Sequence, residues 1–133
     1  MTFIIQTSQP KNNGEFCKED KELSEAIETI FPMMTEESLI LWNTIYVPLN
    51  YKYDVSYIIE DVLHMLRAMR EVPTSGELQI NWPSNTFSTV WNLIWSEKKL
   101  AINSNWYSVL GHTEQLLNKE SRIEINLSDF VCE

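Results

Sequence analysis

A chain of 133 residues with 44% hydrophobic and 11% aromatic residues carries enough apolar material for one compact domain, and wholesale disorder is excluded on composition. Ten Lys and Arg against 19 Asp and Glu leave a formal charge of −9. That balance disfavours nucleic acid and anionic membrane as partners, because binding either depends on cationic side chains displacing counterions.

The opening "MTFIIQTSQPKNNGE" has no basic start followed by an apolar run, and no stretch of about 18 apolar residues occurs, so a soluble cytoplasmic protein is expected. "TFIIQTS" reads as a short strand and "QPKNNGE" as turn chemistry. In "KEDKELSEAIETIF", Leu23, Ile27, Ile30 and Phe31 recur at helical spacing, with Pro32 as a stop. "SLILWNTIYVP" is β-branched and aromatic, and predicts one long strand with Trp42, Thr44 and Tyr46 on one face and Leu41, Ile45 and Val47 on the other. The clearest helix runs from Asp54, as N-cap, to Glu71. Its apolar stripe is Val55, Ile58, Ile59, Val62, Leu66 and Met69, and its solvated side carries Glu60, Asp61, His64, Arg67 and Glu71.

The segment "GELQINWPSNTFSTVWNLIWSEKKLAINSNW" contains three alternating runs. With turns at Pro83 to Thr86 and Ser96 to Lys99, Trp82 falls opposite Phe87, Leu78 opposite Trp91, Leu93 opposite Ile102 and Trp95 opposite Leu100. Opposed residues share a face. That register gathers the tryptophans and aliphatics on one side of a meander, with Gln79, Asn81, Ser88, Asn92, Asn103 and Asn105 mostly on the other. An apolar face of this kind needs a cover, and the amphipathic helix is the available one. Trp106, at a strand end beside Tyr107, is the exception expected to reach the surface. "GHTEQLLNKE" predicts a short helix capped by Thr113 with Leu116 and Leu117 inward, and "SRIEINLSDFVCE" a strand with Ile123 and Ile125 on one face, then a helix from near Ser128. The expected fold class is α+β: one domain over residues 1–133 with an antiparallel sheet, a C-terminal-half meander packed on the amphipathic helix, and one or two shorter helices.

Chemistry needs convergent groups, and few converge here. Glu60 and His64 stand four apart on a helix, but that pattern is more often a surface pair than a metal or acid/base site, and no HExxH is present. His112 follows Gly111 at a helix start, where a loop or capping role is commoner. Cys17 and Cys132 lie near opposite ends without CxxC spacing, which argues against a metal knuckle. Adjacent acids such as Glu36 with Glu37 read as solvated charge. No GxGxxG or P-loop occurs. No catalytic residue, metal or cofactor is expected.

In size, acidity, the meander with "LAINSNWYSVLGHTEQLLN" and the closing "LSDFVCE", the chain resembles the immunity proteins that accompany bacterial polymorphic and contact-dependent toxins. The resemblance implies a non-enzymatic cytoplasmic inhibitor that binds and neutralises one cognate toxin domain. An acidic protein suits a cationic, nuclease-like partner, because complementary fields speed encounter. Two acidic surfaces compete: the first helix, with Glu19, Asp20, Glu22, Glu25 and Glu28, and the second, with Glu60, Asp61 and Glu71. The second is preferred as the better anchored, with Tyr57, Trp106 and Tyr107 as aromatic anchors. A monomer is expected. Competing readings are a small enzyme or ligand-binding domain with a pocket between helix and sheet, and an oligomeric adaptor using the polar strand face and sheet edges.

Overall fold

The computed structural model describes residues 3–6, 17–31, 38–72 and 74–132, excluding the side chain of Cys132. The chain is α+β, with two antiparallel sheets. The smaller has strand order β1 (Phe3–Gln6), β2 (Ser38–Trp42), β3 (Ile45–Leu49). The larger has the order β4 (Ser75–Pro83), β5 (Phe87–Ser96), β6 (Lys99–Val109), β7 (Arg122–Asn126). Four α-helices accompany them among the described residues: α1 (Leu23–Ile30), α2 (Ser56–Glu71), α3 (Glu114–Lys119) and α4 (Leu127–Cys132). The expected turn over "QPKNNGE" and the stop at Pro32 lie outside the described residues.

"SLILWNTIYVP" is a hairpin and not one strand. Trp42 pairs with Ile45 across a two-residue connection whose first member, Asn43, has φ 56°, a conformation asparagine tolerates better than most residues. The reversal changes the faces from those expected. Ile40, Trp42, Val47 and Leu49 point into the core, while Leu41 and Tyr46 are paired on the outer side.

The meander forms as expected, with Leu93 opposite Ile102 and Trp95 opposite Leu100. The first hairpin differs by two residues: Ile80 faces Trp91, Leu78 faces Leu93 and Trp82 faces Thr89. The turn explains the shift. Ser84 Oγ accepts the Phe87 N–H (2.9 Å) and donates to the Phe87 carbonyl (3.1 Å), which closes a tip at Asn85 and Thr86 and leaves Pro83 in the strand, opposite Ser88. Because side chains alternate with period two, a two-residue slip preserves which residues face inward.

The inward faces of the two sheets meet in an aromatic cluster. Trp91 has the rings of Trp42 (5.3 Å between centroids), Trp82 (5.0 Å), Phe3 (6.1 Å) and Trp106 (6.1 Å) around it. The small sheet therefore covers the tryptophan face, and α2 closes the flank beside β4. Every tryptophan except Trp91 also donates its indole N–H: Trp42 to the Glu120 carbonyl, Trp82 to Asp61, Trp95 to the Val72 carbonyl and Trp106 to Ser104 Oγ. Burying a ring and satisfying its single donor is what makes such large side chains useful as core.

Asp54 does not cap α2. A π-helical turn over Tyr51–Val55 precedes the helix, with Asn50 Oδ1 accepting the Tyr53 N–H. Asp54 is buried, and its carboxylate accepts the Asn50 N–H (2.8 Å) and the Thr86 hydroxyl, tying the helix start to the β4–β5 loop. α2 then buries Ile58, Met65 and Met69, with Val55, Val62 and Leu66 partly covered. In α3 only Leu117 is inward. Leu116 is 53% exposed, because neighbours in a helix point about 100° apart and so short an element has one buried stripe. Thr113 precedes α3 without a side-chain cap bond; Glu114 Oε1 instead accepts the Val109 N–H (2.8 Å), and this bond, followed by that to its own backbone N–H, holds the Glu114 carboxyl below its ordinary value. Ile123 is fully buried and Ile125 partly so. α4 buries Leu127 and Phe130, the latter against Phe3.

Candidate partner-binding surface

The two acidic surfaces of the sequence are one surface. The Ser24 N–H, in the first turn of α1, donates to Glu60 Oε1 on α2 (3.1 Å), and Lys52 Nζ donates to the Glu28 carbonyl at the other end of α1. These two bonds fix α1 antiparallel to the first half of α2. They set the start of α1, with Glu22 and Glu25, beside Glu60 and its end, with Glu28, beside Lys52. Glu25 also folds back: its Oε2 accepts the N–H of Lys21 (2.7 Å) and of Glu22 (3.2 Å). Those bonds, Lys21 first, hold its carboxyl below the usual range. A carboxylate over the free N–H groups of a helix start is favoured by charge as well as by hydrogen bonding.

Glu60 and Asp61 are not merely solvated. Asp61 Oδ2 accepts the Trp82 indole N–H at 2.7 Å, so each of these acids uses one oxygen, Glu60 Oε1 and Asp61 Oδ2, to hold the fold. Asp61→Ala would strand the buried Trp82 donor and should cost about 1 to 3 kcal/mol in urea unfolding. Asp61→Asn, which keeps an acceptor, should lose much less. Equal losses would show that the bond contributes nothing.

The other expected residues divide. Tyr57 lies on the outward side of α2, 45% exposed, and precedes Glu60 by three positions and Asp61 by four. Glu71 is exposed, but eleven residues beyond Glu60 it sits about 16 Å further along the axis. Trp106 does not reach the surface. It is 2% exposed, edge-on to Trp42 and Phe87, and its backbone N–H and carbonyl are both held by the Asn118 amide. Tyr107 points outward by the ordinary alternation of β6; a β-bulge, where the register slips between Trp106 and Ser108, breaks that alternation one residue later and returns Val109 to the core. Tyr107 is exposed, but on a strand two removed from β4, against which α2 packs, and does not join the α1–α2 surface.

Tyr53 was not anticipated. It is exposed, four residues before Tyr57, with Lys52 Nζ 5.7 Å from its ring centroid. The spacing of two tyrosines about Asp54 was the available signal. His64 and His112 are exposed, and Glu60 is engaged with α1 and not with His64. His112 has φ 55° in the turn after Gly111. Cys17 is a free thiol. Among the described residues no three His, Cys, Asp or Glu side chains are grouped to hold a metal ion, and no helix is long and apolar enough to cross a membrane. Compared with known proteins, the chain matches no family model, no curated protein and no solved structure.

Proposed function

We propose that this chain is a non-enzymatic, cytoplasmic immunity protein that binds a cognate toxin domain with a basic, nuclease-like surface and neutralises it. The observation that carries the reading is the α1–α2 surface, where Tyr57 stands beside Glu60 and Asp61, whose carboxylates are already held by Ser24 and Trp82. Side chains fixed before association lose little freedom on binding, and an exposed tyrosine ringed by acids supplies the aromatic anchor and charged surround typical of strong interface positions. The formal charge of −9 adds long-range attraction for a cationic domain.

The test is co-expression with a candidate toxin domain, sought in a gene adjoining this one, followed by binding kinetics on the purified pair. Protection should be seen, and association should slow as salt rises, since the field is screened beyond about 8 to 10 Å at physiological ionic strength. The double variant Glu60→Gln, Asp61→Asn keeps both internal acceptors and removes both charges, so it should lower the on-rate by several-fold while leaving stability near wild type. Tyr57→Ala should raise the off-rate, costing about 1 to 2 kcal/mol of affinity. No protection, or salt-independent binding indifferent to all three substitutions, would refute the proposal.

A further inference from the structure

The N-terminal half of α2 has α1 lying along it, with the start of α1 at Glu60. α2 continues for eleven residues past that point, and along this continuation Leu63, Leu66, Arg67 and Arg70 follow the i, i+3, i+4, i+7 spacing of a single helix face. A shallow, open groove of about 450 Å³ lies there, lined among the described residues by these four and Glu71, all side chains of α2 itself. Leu63 is 43% exposed, and Val72 at the helix end is more so. Among the described residues neither Arg67 nor Arg70 makes an ion pair, the one such pair being Arg122 with Glu124. Two unpaired guanidinium groups flanking the exposed Leu63 and the half-buried Leu66, on a chain of charge −9, give this face a preference opposite to that of the acidic surface one turn away.

We infer that this groove docks an acidic amphipathic helix of a partner protein. Its apolar stripe covers Leu63 and Leu66, and its carboxylates pair with Arg67 and Arg70. A helix is the fitting shape because the preceding turns of α2 already accept one, α1, side by side and antiparallel. Arginine is suited to the pairing, since its planar fork binds a carboxylate through two parallel hydrogen bonds. The overall negative charge does not forbid it: at physiological ionic strength charges beyond about 8 Å are largely screened, so the neighbouring arginines outweigh distant acids. Glu71 at the groove's end is the nearby opposing charge; four residues on from Arg67, it lies on the same side of the helix, and it sets a polarity, favouring a partner whose acids lie toward Arg70. The inference does not depend on the proposed cationic toxin surface.

The probe is a synthetic amphipathic helix with leucines along one face and glutamates on both flanks, titrated against the full chain and compared with the same peptide carrying lysines in place of the glutamates. The acidic peptide should bind saturably, the lysine peptide should not, and amide chemical-shift changes should concentrate between Leu63 and Val72. The double variant Arg67→Glu, Arg70→Glu should weaken the acidic peptide about tenfold or more, the equivalent of about 1.4 kcal/mol. These side chains are exposed, so the variant should keep the wild-type unfolding midpoint. Leu63→Ser should weaken binding as well without moving that midpoint. Equal binding of the two peptides, shift changes elsewhere, or binding indifferent to the double variant would overturn the inference. So would a concentration-dependent dimer abolished by Leu63→Ser, which would give the groove to a second copy of the chain.

Discussion

Trp91→Ala should lower the stability of this protein by about 3 to 5 kcal/mol, the range for removing a large aromatic from a packed core. The ring is buried on all sides, with Phe3 and Trp42 from the small sheet on one side and Trp82 and Trp106 of its own sheet beside it. Deleting it would leave a cavity between two sheets that are each stiffened by their own hydrogen-bond ladders and cannot collapse to fill it. Trp91 differs from its neighbours in one respect: its indole N–H is buried with no acceptor among the described residues. An orphaned donor of this kind costs about 1 to 3 kcal/mol. Trp91→Phe should therefore be tolerated far better than Trp91→Ala, since it loses part of the ring but also removes the unsatisfied group. The same change at Trp42, whose N–H donates to the Glu120 carbonyl at 2.7 Å, gives up a made bond and leaves that carbonyl only the longer one from Asn43 Nδ2 (3.3 Å), so it should be the costlier of the two phenylalanine substitutions. Urea unfolding of the three variants checks the order. If Trp91→Ala unfolds with the wild-type midpoint, the aromatic cluster is not the centre of the core.

The parts of this fold that were legible beforehand are those set by periodicity. The inward face of the meander survives a hairpin slip of two residues because its alternation is indifferent to even shifts, so Ile80, Trp91, Leu93 and Ile102 are correctly inward although some partners differ. Features set by a single local conformation were hidden. The turn at Asn43 contains no glycine or proline to announce it, and the π-helical turn before α2 depends on Asp54 finding Thr86, thirty-two residues on. The bulge after Trp106 is likewise unannounced by any glycine or proline. At the candidate site, charge was readable and its use was not. Glu60 and Asp61 look like any solvated pair until Ser24 and Trp82 arrive from distant parts of the chain, and only then do two rival acidic helices become one surface.

Gly76→Ala is the second large effect expected, and there local preference and packing oppose each other. Glycine inside a strand is about 0.5 to 1 kcal/mol worse than alanine, and Gly76 pairs directly with Trp95 one position from the end of a regular antiparallel ladder, so on propensity alone the substitution should stabilise. Packing reverses the sign. A Cβ at this position would lie 2.0 Å from Cζ2 of Trp95 and 2.3 Å from Cε2, well inside contact distance. The indole cannot swing aside cheaply, because it is 4% exposed and its N–H donates to the Val72 carbonyl at 2.9 Å. Moving the ring breaks that bond at the C-terminus of α2, the helix that carries Tyr57, Glu60 and Asp61. Forced overpacking of this type costs about 1 to 3 kcal/mol and at times more, which exceeds the gain from propensity. The variant should unfold at lower denaturant, and amide exchange should quicken in the last turn of α2 before the rest of the helix. Gly76→Ala with unchanged or raised stability would mean that Trp95 has another resting place, and that glycine is not what lets the indole lie flat against β4.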